Sequence, residues 1–154
     1  MAQFKFDLEG VLRQRNNAEH IAQREVALAM QTFTQLQDQL RRLDQSVRGV
    51  TDDVRANHLI GPLDVSFMVA HRRYLRGMER AVIDLARQIA DAKSKVDKAH
   101  AGLVEAARQR KTIEKLRDRE LDRWKTGQAL RESADNDEAG MQIAFGNIVE
   151  HRAG

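Results

Sequence analysis

Residues 26–54 read VALAMQTFTQLQDQLRRLDQSVRGVTDDV, and their apolar side chains recur at alternating steps of three and four residues. This 3.5-residue repeat is typical of a coiled-coil helix, which buries one apolar stripe against a partner helix. We call that stripe the seam. Its members here are Val26, Ala29, Phe33, Leu36, Leu40, Leu43, Val47, Val50 and Val54.

A second run has the same spacing and supplies the partner helix. Its members are Met68, His71, Leu75, Met78, Val82, Leu85, Ile89, Ala92, Val96, Ala99, Leu103 and Ala106. If the chain bends at Gly61, the residue numbers of facing seam positions add up to 121 or 122, as for Phe33 and Ile89. Alanines at 92, 99 and 106 let the two backbones approach closely. The sequence therefore predicts an all-α fold, a long antiparallel two-helix coiled-coil hairpin.

Local signals set the predicted boundaries of helix 1 and of the turn. Asp7 is a plausible N-cap, so helix 1 should run from about residue 7 to 57. The turn should cover 58–63, because Pro62 lacks an N–H donor and disrupts a helix that runs through it.

Helix 2 should begin at about residue 64, where Asp64 is a good N-cap. It should end near residue 134, because Asp135-Asn136-Asp137 resembles a helix stop. The hairpin should form a single domain over residues 1–140. The order of the tail, 141–154, stays open, although several of its apolar residues have helical spacing.

Composition excludes several classes of protein. The chain has 154 residues, of which 5% are aromatic and 32% charged, so a broad globular core is not expected. It has no cysteine, so neither a disulfide nor a thiolate metal site can form. No apolar run approaches the ~20 residues of a membrane span, and the start lacks a signal-peptide core. The net charge of +3 mildly favours an acidic partner.

No constellation of catalytic or metal-ligating residues is present. None of the five histidines forms an i, i+4 ligand pair, and His71 is interpreted as a polar seam residue that fixes the register. Nucleophile elbows, phosphate-binding glycine loops, zinc signatures and EF-hands are all missing from the sequence. We therefore expect no enzyme activity, no cofactor and no metal.

Helix 2 is predicted to extend past helix 1. The register places Ile113 opposite Leu8 and Arg117 opposite Phe4, so Leu121 and Trp124 should lie in an overhang. Leaving large apolar side chains in water forgoes roughly 1.5–3 kcal/mol each. The overhang is therefore expected to contact another protein.

Residues 108–125 hold eight basic and four acidic side chains. One interpretation is a solvated helix face with i, i+4 charge pairs. The other is a docking surface for an acidic ring or groove, with Trp124 as its aromatic anchor. Two arginines at seam positions favour the second interpretation, namely Arg15 opposite Ala106 and Arg110 opposite Leu12.

Three motifs, in this order and spacing, resemble the flagellar type III export protein family FliJ over nearly the whole chain. They are Phe4-x-Phe6-x-Leu8-x-x-Val11-Leu12-x-x-Arg15, Arg73-Tyr74-Leu75-x-x-Met78, and Arg110-Lys111-x-x-Glu114-Lys115-Leu116-x-Asp118-Arg119 followed by Trp124 and Asp137-Glu138.

The resemblance implies a non-catalytic, stalk-like coiled coil at the cytoplasmic face of the inner membrane, without membrane insertion. It implies three partners: the export ATPase FliI, whose ring it enters and helps to assemble, the export gate protein FlhA, and export chaperones. The candidate ATPase-binding residues are Leu8, Leu12, Arg13, Arg15, Arg110, Lys111, Arg117, Leu121 and Trp124. The stretch from Arg13 to Arg24 is the one that the family suggests for gate contact.

Two other hypotheses remain at this point. One is the equivalent stalk of a virulence-type secretion system. The other is a basic coiled-coil scaffold for nucleic acid or anionic surfaces, disfavoured because a single aromatic residue lies in the basic cluster to stack on bases. The oligomeric state also stays open, since two hairpins could pair into a four-helix bundle.

Overall fold

Two long helices make up almost all of the structure, a computed structural model that describes residues 3–57, 61–62 and 64–152, with side chains to residue 145. Helix α1 is Glu9–Asn57 and helix α2 is Val65–Arg152. They pack against each other, and no strand occurs within the described ranges. The predicted all-α helical hairpin is confirmed.

The predicted turn lies largely outside the described residues, which omit 58–60 and 63. Gly61 and Pro62 are both non-helical, and Gly61 has a φ of 109°, a conformation that suits glycine because it lacks a Cβ. Asp64 caps α2 as predicted. Its Oδ1 accepts a hydrogen bond from the Phe67 N–H at 3.2 Å, and its carbonyl oxygen accepts one from the Met68 N–H at 3.1 Å.

The predicted start of helix 1, at about residue 7, lies two residues before the observed one. Helix α1 begins at Glu9, and the Leu8 carbonyl accepts its first helical bond, from the Leu12 N–H at 2.9 Å. Phe6 precedes this turn and is only 5% exposed. Burying a phenylalanine contributes about 1.5–3 kcal/mol, more than the ~1 kcal/mol typical of an N-cap. The buried ring therefore fixes where the helix can begin.

The predicted end of helix 2 near residue 134 is also wrong, because α2 continues to Arg152. The Asp135-Asn136-Asp137 sequence lowers helix propensity without blocking the backbone, at a cost of up to about 0.7 kcal/mol per residue. No proline follows Pro62, so no later residue is barred from donating a helical hydrogen bond.

The chain divides into two compact units. The hairpin unit is Asn17–Ala106 and contains the turn. The terminal unit combines Met1–Asn16 with Ala107–Gly154 and so joins the two ends of the chain. Each helix contributes to both units. The prediction of one domain over residues 1–140 stays a prediction.

The seam predicted for α1 is confirmed in the hairpin unit, because each of its nine side chains is partly buried. On α2 the predicted seam is buried or half-buried except at Met68 and Val82, which are 45% and 36% exposed. The least exposed residues of this unit are Ala22, Ala92 and Val96, at 5–8%. Of the three alanines predicted to let the backbones approach, Ala92 is buried and Ala99 and Ala106 are half-buried.

The register is consistent with the lining of two open hollows in the hairpin unit. Val47 and Leu75 line one of about 410 Å³, and Leu40 and Val82 line another of about 400 Å³. Both pairs are among those predicted to face each other. Near the turn, the rings of His71 and Phe67 stack at 6.3 Å with an interplanar angle of 6°.

A double substitution tests the register directly. Cysteines at Leu36 and Leu85 should form an intramolecular disulfide under mild oxidation, since these half-buried residues share a layer. The matched control pairs Thr34→Cys with Arg87→Cys, which have the same residue-number sum but are exposed on outward faces. Non-reducing electrophoresis distinguishes the two variants. Equal cross-linking of both would contradict the register.

A charge in the seam should destabilise the hairpin unit. Leu40→Asp places a carboxylate in an apolar layer and should lower the free energy of unfolding by roughly 2–4 kcal/mol. Gln39→Asp, one residue away and exposed, is the control and should cost under about 1 kcal/mol. Thermal denaturation followed by circular dichroism measures both. A similar loss in the two variants would show that the seam does not hold the unit together.

Candidate functional site

The two ends of the chain build the terminal unit. Residues 3–6 are non-helical and lead through a turn at 7–8 into the first turns of α1. The partner segment is α2 from residue 107 onward. All nine residues predicted to bind the ATPase lie in this unit.

An aromatic contact joins the N-terminal segment to α2. The ring centroids of Phe4 and Trp124 lie 6.0 Å apart with an interplanar angle of 58°, a tilted arrangement within the favoured range for aromatic pairs. Trp124 is half-buried as a result. The expectation that Trp124 lies uncovered in an overhang is wrong.

The difference arises from the backbone of residues 3–6. The predicted register assumed one helical rise per residue and placed Phe4 opposite Arg117. A non-helical backbone can advance up to about 3.3 Å per residue, against 1.5 Å in a helix. The non-helical segment therefore reaches further along α2, and Arg117 instead contacts Glu9, with 3.8 Å between Arg117 Nε and Glu9 Oε2.

Apolar side chains from the N-terminal segment form the core of this unit. Phe6 and Leu12 are each 5% exposed, which makes them the most buried side chains of the terminal unit. Leu8 and Leu121 are half-buried. Most of the surface of Leu8, Leu12, Leu121 and Trp124 is therefore covered within the chain.

The two seam arginines are engaged inside the unit. Arg15 Nη1 donates a hydrogen bond to Gln109 Oε1 at 2.6 Å and so bridges α1 and α2. Arg110 Nη1 lies 2.5 Å from Glu114 Oε2, and its side chain is only 21% exposed. These contacts satisfy polar groups at the seam and account for the arginines without an external partner.

The exposed part of the predicted site is its basic rim. Arg13 and Lys111 are exposed, and the Arg117 side chain is 47% exposed despite its contact with Glu9. Further exposed basic side chains surround them on α2: Arg108, Lys115, Arg119, Arg123 and Lys125. The terminal unit therefore carries several accessible basic side chains as well as the apolar contact between the chain ends.

The overhang of α2 is present but begins later than predicted. Every residue from 129 to 145 is exposed. The large apolar side chains in this segment are Leu130, Met141, Ile143 and Phe145, each 62–68% exposed.

Sequence analysis assigned no packing or hydrogen-bonding role to two residues of the terminal unit. Phe6 falls outside the heptad register, and Gln109 is a neutral residue between two arginines. The alternation Phe4-x-Phe6-x-Leu8 was a usable signal, since a period of two indicates an extended segment with one apolar face.

The aromatic contact can be tested through the one tryptophan of the chain. Phe4→Ala removes the ring that covers Trp124, so its fluorescence emission should shift to longer wavelength. The contact itself is worth about 0.5–1.5 kcal/mol, so the helices should remain folded by circular dichroism. Phe145→Ala is the control, because this exposed ring lies 21 residues further along α2. An unchanged spectrum for Phe4→Ala would contradict the contact.

Comparison with known proteins gives one family. Residues 4–147 match the family model described as Flagellar FliJ protein. No curated protein matches the chain. No solved structure matches it either. Within the described residues, neither α1 nor α2 has a segment apolar enough to span a membrane.

Proposed function

Because this chain belongs to the flagellar FliJ family, we propose that it acts as the stalk that joins the ring of the flagellar export ATPase to the rest of the export apparatus. The family consists of non-enzymatic components of flagellar protein export, so a role in flagellar protein transport follows directly from membership. The attachment to the ATPase FliI, and the surface that makes it, are the proposed part.

The observation that carries the proposal is the joining of the two chain ends into one unit with an accessible basic rim. A stalk that inserts into a ring needs a slender end whose own apolar surface is already covered. Phe6 and Leu12, each 5% exposed, meet that need, while Arg13, Lys111 and Arg117 remain accessible. Charged rims of this kind steer association and set specificity more than they add raw affinity.

Within this proposal the nine candidate residues have two roles. Leu8, Leu12, Leu121 and Trp124 support the end of the stalk from inside, together with the bridging side chain of Arg15 and the ion-paired Arg110. Arg13, Lys111 and Arg117 contact acidic groups of the ring. The division is consistent with the burial of each residue.

The other partners follow from family resemblance. The gate protein FlhA would contact the stretch from Arg13 to Arg24, and export chaperones would bind elsewhere on the helices. The protein would then act in the cytoplasm, at the inner face of the membrane and through the apparatus. Arg13 is shared by both candidate surfaces, so ATPase and gate would compete for it.

The ATPase assay tests the central interaction. The purified chain should raise the hydrolysis rate of the flagellar export ATPase, and Arg13→Glu with Lys111→Glu should weaken that effect about tenfold in half-maximal concentration, or ~1.4 kcal/mol. The loss should grow at low salt, where exposed charges act over a longer range.

Lys95→Glu with Lys98→Glu is the matched control, with the same charge change at exposed positions of the hairpin unit. It should stimulate as the native chain does. Stimulation that is absent from the native chain, or lost equally in both variants, would rule out the proposed surface.

A further inference from the structure

Three arginines on one face of α2 have no acidic neighbour. Arg72, Arg73 and Arg76 are exposed, and none of them lies within 4.0 Å of a carboxylate in the part of the chain that the structure describes. Some other basic residues of the hairpin unit are ion-paired, as Arg48 is with Asp44 at 2.8 Å. Like charges at i, i+4 are mildly destabilising, so Arg72 and Arg76 place positive charge on one helix face without a compensating ion pair.

Exposed valines continue the same helix face. Val65 is 71% exposed and Val69 is 50% exposed. With Arg72 and Arg76 they recur at steps of four, three and four, which keeps them on one side of the helix. Val69 and the three arginines also line an open hollow of about 300 Å³. We call Val65, Val69, Arg72, Arg73 and Arg76 the arginine stripe.

The far part of α2 carries a stripe of opposite charge. Asp137, Glu138, Met141 and Phe145 share one helix face by the same spacing rule. All four are exposed, with Met141 at 62% and Phe145 at 68%. The two acids form no ion pair among the described residues. We call these four residues the acidic stripe.

We propose that the acidic stripe of one copy of this chain docks antiparallel on the arginine stripe of a second copy. Run in opposite directions, the two stripes match at four positions, and Arg76 lies beyond the last pair. The facing pairs are Val65 with Phe145, Val69 with Met141, Arg72 with Glu138, and Arg73 with Asp137. A parallel arrangement would set Arg76 against Met141, so the antiparallel arrangement is the complementary one.

The occupant is a second copy because of where the stripes lie. Both belong to α2, and a continuous helix cannot fold back on itself to pair them within one chain. Each stripe alone combines unpaired charges with exposed apolar side chains. Pairing the stripes neutralises two charges on each side and removes four apolar side chains from water.

The expected complex is weak and sensitive to salt. About two and a half helical turns on each side bury less than the ~1,200 Å² of a standard interface, which places the association among transient ones. We expect a dissociation constant of about 10⁻⁵–10⁻⁴ M, weakening as salt screens the exposed ion pairs. Each copy has both stripes, so association either closes as a reciprocal dimer or continues as open chains.

Charge reversal followed by mixing tests the pairing. Variant one carries Arg72→Glu and Arg73→Glu, and variant two carries Asp137→Arg and Glu138→Arg. In sedimentation velocity over a concentration series, each variant alone should associate at least about tenfold more weakly than the native chain, because like charges then face each other. An equimolar mixture should recover association, since the acidic stripe of the first matches the arginine stripe of the second.

The control is Arg41→Glu with Arg42→Glu, two exposed arginines on α1, which should leave association unchanged. Circular dichroism checks that every variant is folded, and Phe145→Lys offers a second, single-site test of the apolar end. A native chain that stays monomeric at several hundred micromolar overturns the proposal, as does a mixture that fails to associate. No ATPase is present, so the result is independent of the proposed function.

Discussion

Burial of one apolar stripe along each of two helices is the constraint on which this structure depends. A two-helix contact has no wide interior, so each layer is set by a single pair of facing side chains. Spacing then matters more than side-chain size, and small residues such as Ala22 and Ala92 are among the least exposed of the hairpin unit. The same geometry leaves the outer faces of the helices accessible, which is why a protein of this kind offers surfaces to partners along its length.

The terminal unit is packed differently from the seam of the hairpin unit. Near the chain ends the heptad pattern weakens, with Arg15 and Arg110 at positions where leucine would be expected. The chain compensates with the non-helical segment that carries Phe4 and Phe6. Its side chains cover α2, and polar contacts such as that of Arg15 with Gln109, 2.6 Å apart, satisfy the charged groups left inside. The result is an end whose apolar surface is covered and whose accessible surface is basic.

The net charge of α2 changes sign from one segment to the next. The structure shows which of the charged side chains form ion pairs and which do not. In the basic cluster of residues 108–125, Arg110 and Arg117 already contact Glu114 and Glu9. The arginines at 72, 73 and 76 have no such partner among the described residues. Local net charge therefore identifies a basic region. The ion pairs within that region decide which basic side chains are available to contact another molecule.

The sequence by itself determined the helical hairpin and the cap at Asp64, because these features follow from periodicity and local hydrogen bonding. It also placed the nine candidate residues near the two chain ends. Only the tertiary structure decided that the ring of Phe4 packs on Trp124. It also decided that α1 begins at Glu9 and that α2 continues beyond Asp135. The first two depend on how far a non-helical segment reaches and on the burial of Phe6. The continuation of α2 past Asp135 depends on the sum of small helix propensities, and no single residue type decides it.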